Sequence, residues 1–172
     1  MADIKAIKGT NGTTYSIVDR YSEWGGYNLF KNVKRTTNPT AYLANAWNLS
    51  ENMIQGEVYT LQLWGVTLSR SDKTAPWIRP YWGGGNVAIA TNLYPDENGY
   101  ICCTFTAPVS THATVANPFI NFYNSPGVGT SGTTYNMVIE KAKLEKGYKA
   151  TDWSPCWADI FTYANDTITM NI

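Results

Sequence analysis

The chain has 172 residues, with 13 Lys or Arg against 13 Asp or Glu, so its formal net charge at pH 7 is zero. That balance, with no basic run, argues against nucleic acid or an anionic membrane surface as a partner. Charged residues make up 15% and aromatics 14%, which excludes a disordered chain, and Trp, Tyr, Thr and Asn rather than Ala, Glu, Lys and Leu set its character, which excludes a helical bundle. A single β-rich domain remains, long enough for a sizeable core, with a polar and weakly charged surface.

Short β-type runs between Gly, Asn and Pro clusters follow one another along the chain. Ile4 to Lys8 and Thr13 to Val18 flank Gly9-Thr10-Asn11-Gly12, and Asn-Gly is a strong hairpin signal. Tyr27 to Val33 reads as a strand. The one helical candidate is Pro39 to Met53, where Pro-Thr-Ala-Tyr-Leu-Ala-Asn-Ala-Trp can make a short turn. Glu57 to Trp64 alternates Val58, Thr60, Gln62 and Trp64 against Tyr59, Leu61 and Leu63, so one face should be core and the other exposed or cleft-lining. Tyr94-Pro-Asp-Glu-Asn-Gly is a turn, with Asn98-Gly99 suited to positive φ. Tyr100 to Thr106 and Pro118 to Tyr123 are further strands. Tyr135 to Leu144 is the longest run, and its phase shift near Lys141 predicts a bulge. A second hairpin, Asp159 to Tyr163 with Thr167 to Asn171, closes the chain.

The organisation is therefore an N-terminal arm over residues 1–26, a central module over 27–155 and a C-terminal hairpin over 156–172. The polar arms bury little alone, and an isolated hairpin is marginal in water. They are expected to pack on each other, on the central module or on a neighbouring subunit. Many short strands with such turns point to a sandwich or barrel.

Met1-Ala2-Asp3-Ile4-Lys5 opens no apolar signal-peptide core, and no apolar run reaches the length of a membrane span. Cys102, Cys103 and Cys156 are too few for a disulfide framework. The first two are neighbours on a strand and point to opposite faces. They are expected to be thiols in a reducing cytoplasm, with Cys103 in the core beside Ile101 and Phe105.

The central module resembles the jelly-roll carbohydrate-binding modules of glycan-degrading enzymes and bacteriophage tail proteins. The resemblance is carried by Tyr27-Asn28-Leu29-Phe30-Lys31-Asn32, Gly56-Glu57-Val58-Tyr59-Thr60-Leu61, Cys103-Thr104-Phe105-Thr106-Ala107-Pro108 and Pro118-Phe119-Ile120-Asn121-Phe122-Tyr123-Asn124. Its most specific piece is Ala142-Lys143-Leu144-Glu145-Lys146-Gly147 followed by Ala150-Thr151-Asp152-Trp153-Ser154-Pro155, the family's Leu-Glu-x-Gly turn and Thr-x-Trp-Ser-Pro closure. Ile4 to Tyr15 also resembles a segment recurring in phage tail and fibre proteins. The implied fold is all-β, a jelly-roll β-sandwich with flanking N- and C-terminal β-hairpin arms. In the closing motif Gly147 takes a backbone conformation that a side chain opposes, Trp153 covers the end of the core and Pro155 stops the strand. Leu144, Glu145, Gly147 and Trp153 are read as structural.

No catalytic setting is visible. A hydrolase needs paired carboxylates across a cleft, or a nucleophile with its base. Asp96-Glu97 lies in a turn and is read as solvated, and His112 is the chain's lone His. Cys102, Cys103 and His112 lack zinc-ligand spacing, and Gly83-Gly84-Gly85 lacks the Lys-Ser/Thr of a phosphate loop. Many jelly-roll modules hold a structural calcium ion, but no ligands for one can be placed here, and no other cofactor is expected.

Sugar recognition needs flat apolar surfaces for the C–H faces of the ring and polar groups for its hydroxyls. The best stretch is Pro76-Trp77-Ile78-Arg79-Pro80-Tyr81-Trp82: if extended, Trp77, Arg79 and Tyr81 share one face and Ile78 and Trp82 the other. The competing reading makes Trp77 or Trp82 core. Trp64 is a second candidate, outward if Tyr59, Leu61 and Leu63 are core. Asn121 and Tyr123 share a strand face and can add hydrogen bonds. Trp24 and Trp47 are read as packing or subunit contacts, and Tyr and Trp are also favoured anchors between subunits.

The expectation is a non-enzymatic phage virion protein of tail-fibre or receptor-binding type. It is made in the bacterial host cytoplasm and adheres to host or environmental surface glycans. The arm joins it to other virion proteins, and the resemblance favours a homo-oligomer, specifically a trimer. Neither nucleic acid nor membrane insertion is expected. Two alternatives stay open: a capsid decoration or head-fibre protein with a purely structural role, and a glycan-binding appendage of a carbohydrate-active enzyme.

Overall fold

The computed structural model describes residues 6–8, 14–16, 26–36, 43–68, 77–80, 87–90, 93–111, 118–124, 137–156 and 159. Its strands are β1 (Ala6–Lys8), β2 (Thr14–Ser16), β3 (Leu43–Asn48), β4 (Val58–Trp64), β5 (Thr67–Leu68), β6 (Trp77–Pro80), β7 (Ile101–Thr106), β8 (Phe119–Tyr123), β9 (Met137–Val138) and β10 (Lys141–Lys146). Every pairing is antiparallel. β1 and β2 form the N-terminal hairpin expected around Asn11-Gly12, with Ile7 opposite Tyr15. The C-terminal hairpin expected beyond Asp159 lies outside the described residues.

Two three-stranded sheets, ordered β10-β4-β7 and β3-β8-β6, form an all-β sandwich. Along β3, β4, β6, β7, β8 and β10 the chain passes from one of these sheets to the other at each step. The alternation read in β4 sets the inner face of the first sheet: Tyr59, Leu61 and Leu63 are buried, with Ile101 of β7 and Ala142 and Leu144 of β10 beside them. From the second sheet Trp47, Ile120 and Phe122 join the same core. Phe30 closes an aromatic cluster there, its ring 5.6 Å from Trp47 and 5.8 Å from Phe122, with Trp47 and Phe122 4.8 Å apart edge to face. Each such side chain contributes about 1.5–3 kcal/mol by leaving water.

Three segments depart from the sequence reading. Leu43–Asn48 is a strand, where a helical turn was the candidate, because β8 supplies a ladder and buries Ala44 and Trp47. Backbone pairing that becomes available only across the sheet outweighs the local helix preference of Ala and Leu. Tyr27–Val33 is an extended strap rather than a strand. The Leu29 N–H donates to Leu144 O, the Lys31 N–H donates to Asn48 O, and Leu29 O accepts from Ser50 N–H, so the strap ties β10 to the end of β3. The long run ending at Leu144 divides into β9, which pairs β5, and β10, which pairs β4, instead of carrying one bulge. The turn before β7 is as expected: Asp96 Oδ1 accepts from the N–H groups of Asn98 and Tyr100, and Gly99 has φ +74°.

The outer face of the first sheet is also covered. Lys143 and Glu145, two residues apart on β10, share that face, and both side chains are 0% exposed. Their charged groups are 3.3 Å apart. Lys143 Nζ also donates to Thr151 Oγ1 and to Asp152 O. Glu145 Oε1 accepts from Gln62 Nε2 and the Thr151 N–H, and its Oε2 accepts from the Thr151 hydroxyl. Gln62 Nε2 donates again to Thr151 O, and Gln62 Oε1 accepts from Tyr100 Oη at 2.7 Å. An ammonium has three donors and a carboxylate about four acceptor sites, so this cluster is saturated. It holds the segment from Gly147 to Cys156 on the sheet. Burial pushes the Lys143 ammonium below its ordinary range, and Glu145 opposes that shift.

Two stability predictions follow from this cover. Lys143→Ala should lower the unfolding free energy by about 3–5 kcal/mol in urea titrations, because Glu145 is left charged and buried. Lys143→Met with Glu145→Gln should recover much of that loss. Gly147, at φ +106° with open space around it, should lose only about 1–2 kcal/mol as Gly147→Ala, all of it from the backbone.

Candidate functional site

The register of β6 and β8 decides where the sequence-selected residues lie. β6 is an edge strand, which accommodates Pro80. Trp77 pairs with Tyr123 and Arg79 with Asn121, and directly opposite residues of an antiparallel pair share a face. Residues selected from two separate stretches are thus placed in two adjacent rows. On β8, Asn121 and Tyr123 lie on the outer face, because Ile120 and Phe122 point into the core between them. On the other side of β8, Leu43 lies opposite Tyr123 and Ala46 opposite Asn121, both exposed. Ala46 contributes only a methyl group, so the Asn121 row is low at that end. Asn121 Nδ2 donates to Tyr123 Oη at 3.0 Å. Its Oδ1 is buried and has no hydrogen-bond partner among the described residues, which leaves an acceptor at the base of the face. Tyr81 and Trp82 lie outside the described residues, so their roles in the sequence reading have no structural counterpart here.

Trp64 is on the outer face of the first sheet, as its alternation required, but it is only half-exposed. Its ring lies 5.6 Å from that of Tyr100. Across β10 its register partner is the exposed Lys141, whose Nζ lies 5.2 Å from the centre of the Trp153 ring. Tyr100, Trp64, Lys141 and Trp153 therefore form a band across the strands.

Trp153 corrects the sequence reading. It does not cover the end of the core: it is 41% exposed, and Leu144, Leu61 and the Phe30 cluster close the core without it. Trp153 instead walls a cleft of about 390 Å³ together with Asn28, Asn32, Val33, Pro155, Cys156 and Asp159. Asn28 is the rivet of this corner. Its Nδ2 donates to Ala142 O and Ser154 O, and its Oδ1 accepts from the N–H groups of Phe30 and Leu144. Asn32 turns the strap at φ +51°, a conformation Asn tolerates, and its N–H donates to Asp159 Oδ2 at 2.7 Å. A Trp inside a closing motif gives no hint of exposure in sequence; the Asn-x-x-x-Asn of the strap was the only polar signal.

Nothing in these clusters is arranged for nucleophilic or acid–base chemistry. The cysteines carry no disulfide: Cys102 is exposed, Cys103 half-buried on the inner face, and Cys156 buried. Burial pushes the Cys103 thiol up, away from reactivity. His112 lies outside the described residues. No group of three or more His, Cys, Asp or Glu that could hold a metal ion occurs among the described residues.

Tyr100 is the best titration probe of the band. Burial first, then the neighbouring Cys102 thiol and the charges of Glu145 and Asp96, push its phenol up to about 12. A raised phenol pKa favours the neutral form in the fold, so this contribution is intact below the ordinary value of 10.0 and is lost as the pH rises to about 12. An ultraviolet titration of the tyrosines should show this late ionisation in the parent chain and a late phase smaller by one tyrosine in Tyr100→Phe, the buried Tyr59 also being pushed up.

No family model matches the chain, and no curated protein matches it. Among solved structures it is similar to the tripod (BppUct-A-L) from the baseplate of bacteriophage Tuc2009, at 15% identity and a TM-score of 0.44, over 92% of this chain and 69% of that one. A superposition that loose defines neither a shared fold nor a shared role.

Proposed function

We propose that this chain is a non-enzymatic structural protein of a phage virion and adheres to surface glycans through the outer face of the β3-β8-β6 sheet. The observation that carries the adhesion reading is the pairing of Trp77 with Tyr123 and Arg79 with Asn121. Residues that carry an indole, a guanidinium, a phenol and an amide, in paired register on neighbouring strands, offer what a saccharide needs: rings for its C–H surface, and donors and acceptors for its hydroxyls. The virion reading is supported by the closing motif from Ala142 to Pro155 and by the N-terminal segment, both of which resemble phage structural proteins. The jelly-roll assignment rests on the same resemblance, as does a homo-oligomer, most simply a trimer, attached through the N-terminal arm.

The test is a printed array of bacterial surface glycans, with the mass of the protein in solution recorded alongside. Binding should occur, and Arg79→Ala or Tyr123→Ala should weaken it by roughly tenfold or more, the loss of one hydrogen-bonded polar anchor. A blank array from a folded, assembled protein would sink adhesion to those glycans and leave the decoration or fibre role.

A further inference from the structure

We propose that the cleft beside Trp153 is a second saccharide site, at the edge of the first sheet and separate from the β6–β8 face. The inference shares the carbohydrate-binding reading given above and adds a site to it. Its volume of about 390 Å³ falls in the range of roughly 300–1,000 Å³ typical of small-ligand sites. The chain buries Trp47 to 4% yet leaves Trp153 41% exposed on the cleft wall. Lys141 lies against that indole and steadies it, so the platform is oriented before any ligand arrives.

The polar groups are divided between framework and ligand. Asn28 spends both its donors and both acceptor positions on the strap, β10 and Ser154, so it builds the corner and does not serve a ligand. Asn32 is different. It is exposed, its backbone N–H is fixed by Asp159, and its side-chain amide lines the cleft with no hydrogen bond inside the described structure. An amide beside an indole, with Val33 and Pro155 completing the wall, matches a pyranose: the ring's C–H face lies on Trp153 and a hydroxyl meets Asn32. Lys141 adds a cation at the rim, where the band continues through Trp64 and Tyr100. A longer glycan can follow that band across the strands, which are roughly 4.8 Å apart.

The experiment uses the full chain labelled with ¹⁵N in its tryptophan side chains. It is titrated separately with glucose, galactose, rhamnose and N-acetylglucosamine. The Trp153 indole signal is identified by its loss in Trp153→Phe. It should shift with at least one sugar. Asn32→Gly keeps the positive φ that the strap requires and removes only the amide, so it should fold and bind that sugar roughly three- to tenfold more weakly. A Trp153 signal that no sugar moves overturns the site, as does one that responds only to protein dilution, which would mark a subunit contact. Array binding that depends on Arg79 while Trp153 stays silent sinks the cleft and leaves the adhesion reading standing. A blank array with a silent Trp153 sinks both.

Discussion

The buried pair Lys143–Glu145 is the constraint around which the rest of the molecule is arranged. Two opposite charges with no solvent contact are costly to hold in a fold unless every donor and acceptor is met. Here Thr151 meets them with its hydroxyl and its N–H, Asp152 with its carbonyl, and Gln62 from the neighbouring strand, itself held by the Thr151 carbonyl. The irregular segment after Gly147 can therefore lie in only one register on the sheet. A hydrophobic cover would bind as strongly but could slide; a saturated polar cluster cannot, since any shift strands a charge.

That fixed register decides what the surface offers. With Thr151 docked under β10, Trp153 arrives at the sheet edge beside Lys141, and Ser154 reaches the Asn28 amide. The cleft is the space left between the strap and this segment. Both of its walls are tied to β10, the strap by the Leu29 N–H donating to Leu144 O and the closing segment by the Thr151 N–H donating to the Glu145 carboxylate. A site framed in this way loses little entropy when it binds. The β6–β8 face is organised differently. Its residues are placed by ladder register alone, with the aromatic core of Phe30, Trp47 and Phe122 as the rigid backing.

Much of this was legible one strand at a time. The alternation of β4 placed Tyr59, Leu61 and Leu63 inside and Trp64 outside, and both placements hold. Asn98-Gly99 and Gly147 announced positive φ by residue type alone. Local pattern failed where a distant partner decides conformation. Ala-rich Leu43–Asn48 becomes a strand only because β8 lies beside it, and Tyr27–Val33 misses being one because it bridges two sheets and is turned at Asn32. The alternation of β4 likewise left its polar face exposed or cleft-lining, whereas Thr60 and Gln62 are buried under a segment nearly 90 residues downstream.

By itself the sequence determined that the chain is all-β, which side chains of β4 make the core, where its turns bend backward, and which aromatic and polar residues were available for a sugar. These follow from period, residue volume and backbone sterics, which are local. Only the tertiary structure decided that Asn121 and Tyr123 stand beside Arg79 and Trp77, that Lys143 and Glu145 are buried together, and that Trp153 walls a cleft rather than closing the core. Each of these depends on inter-strand register and on what covers a sheet face, and both are set by contacts between residues far apart in the chain.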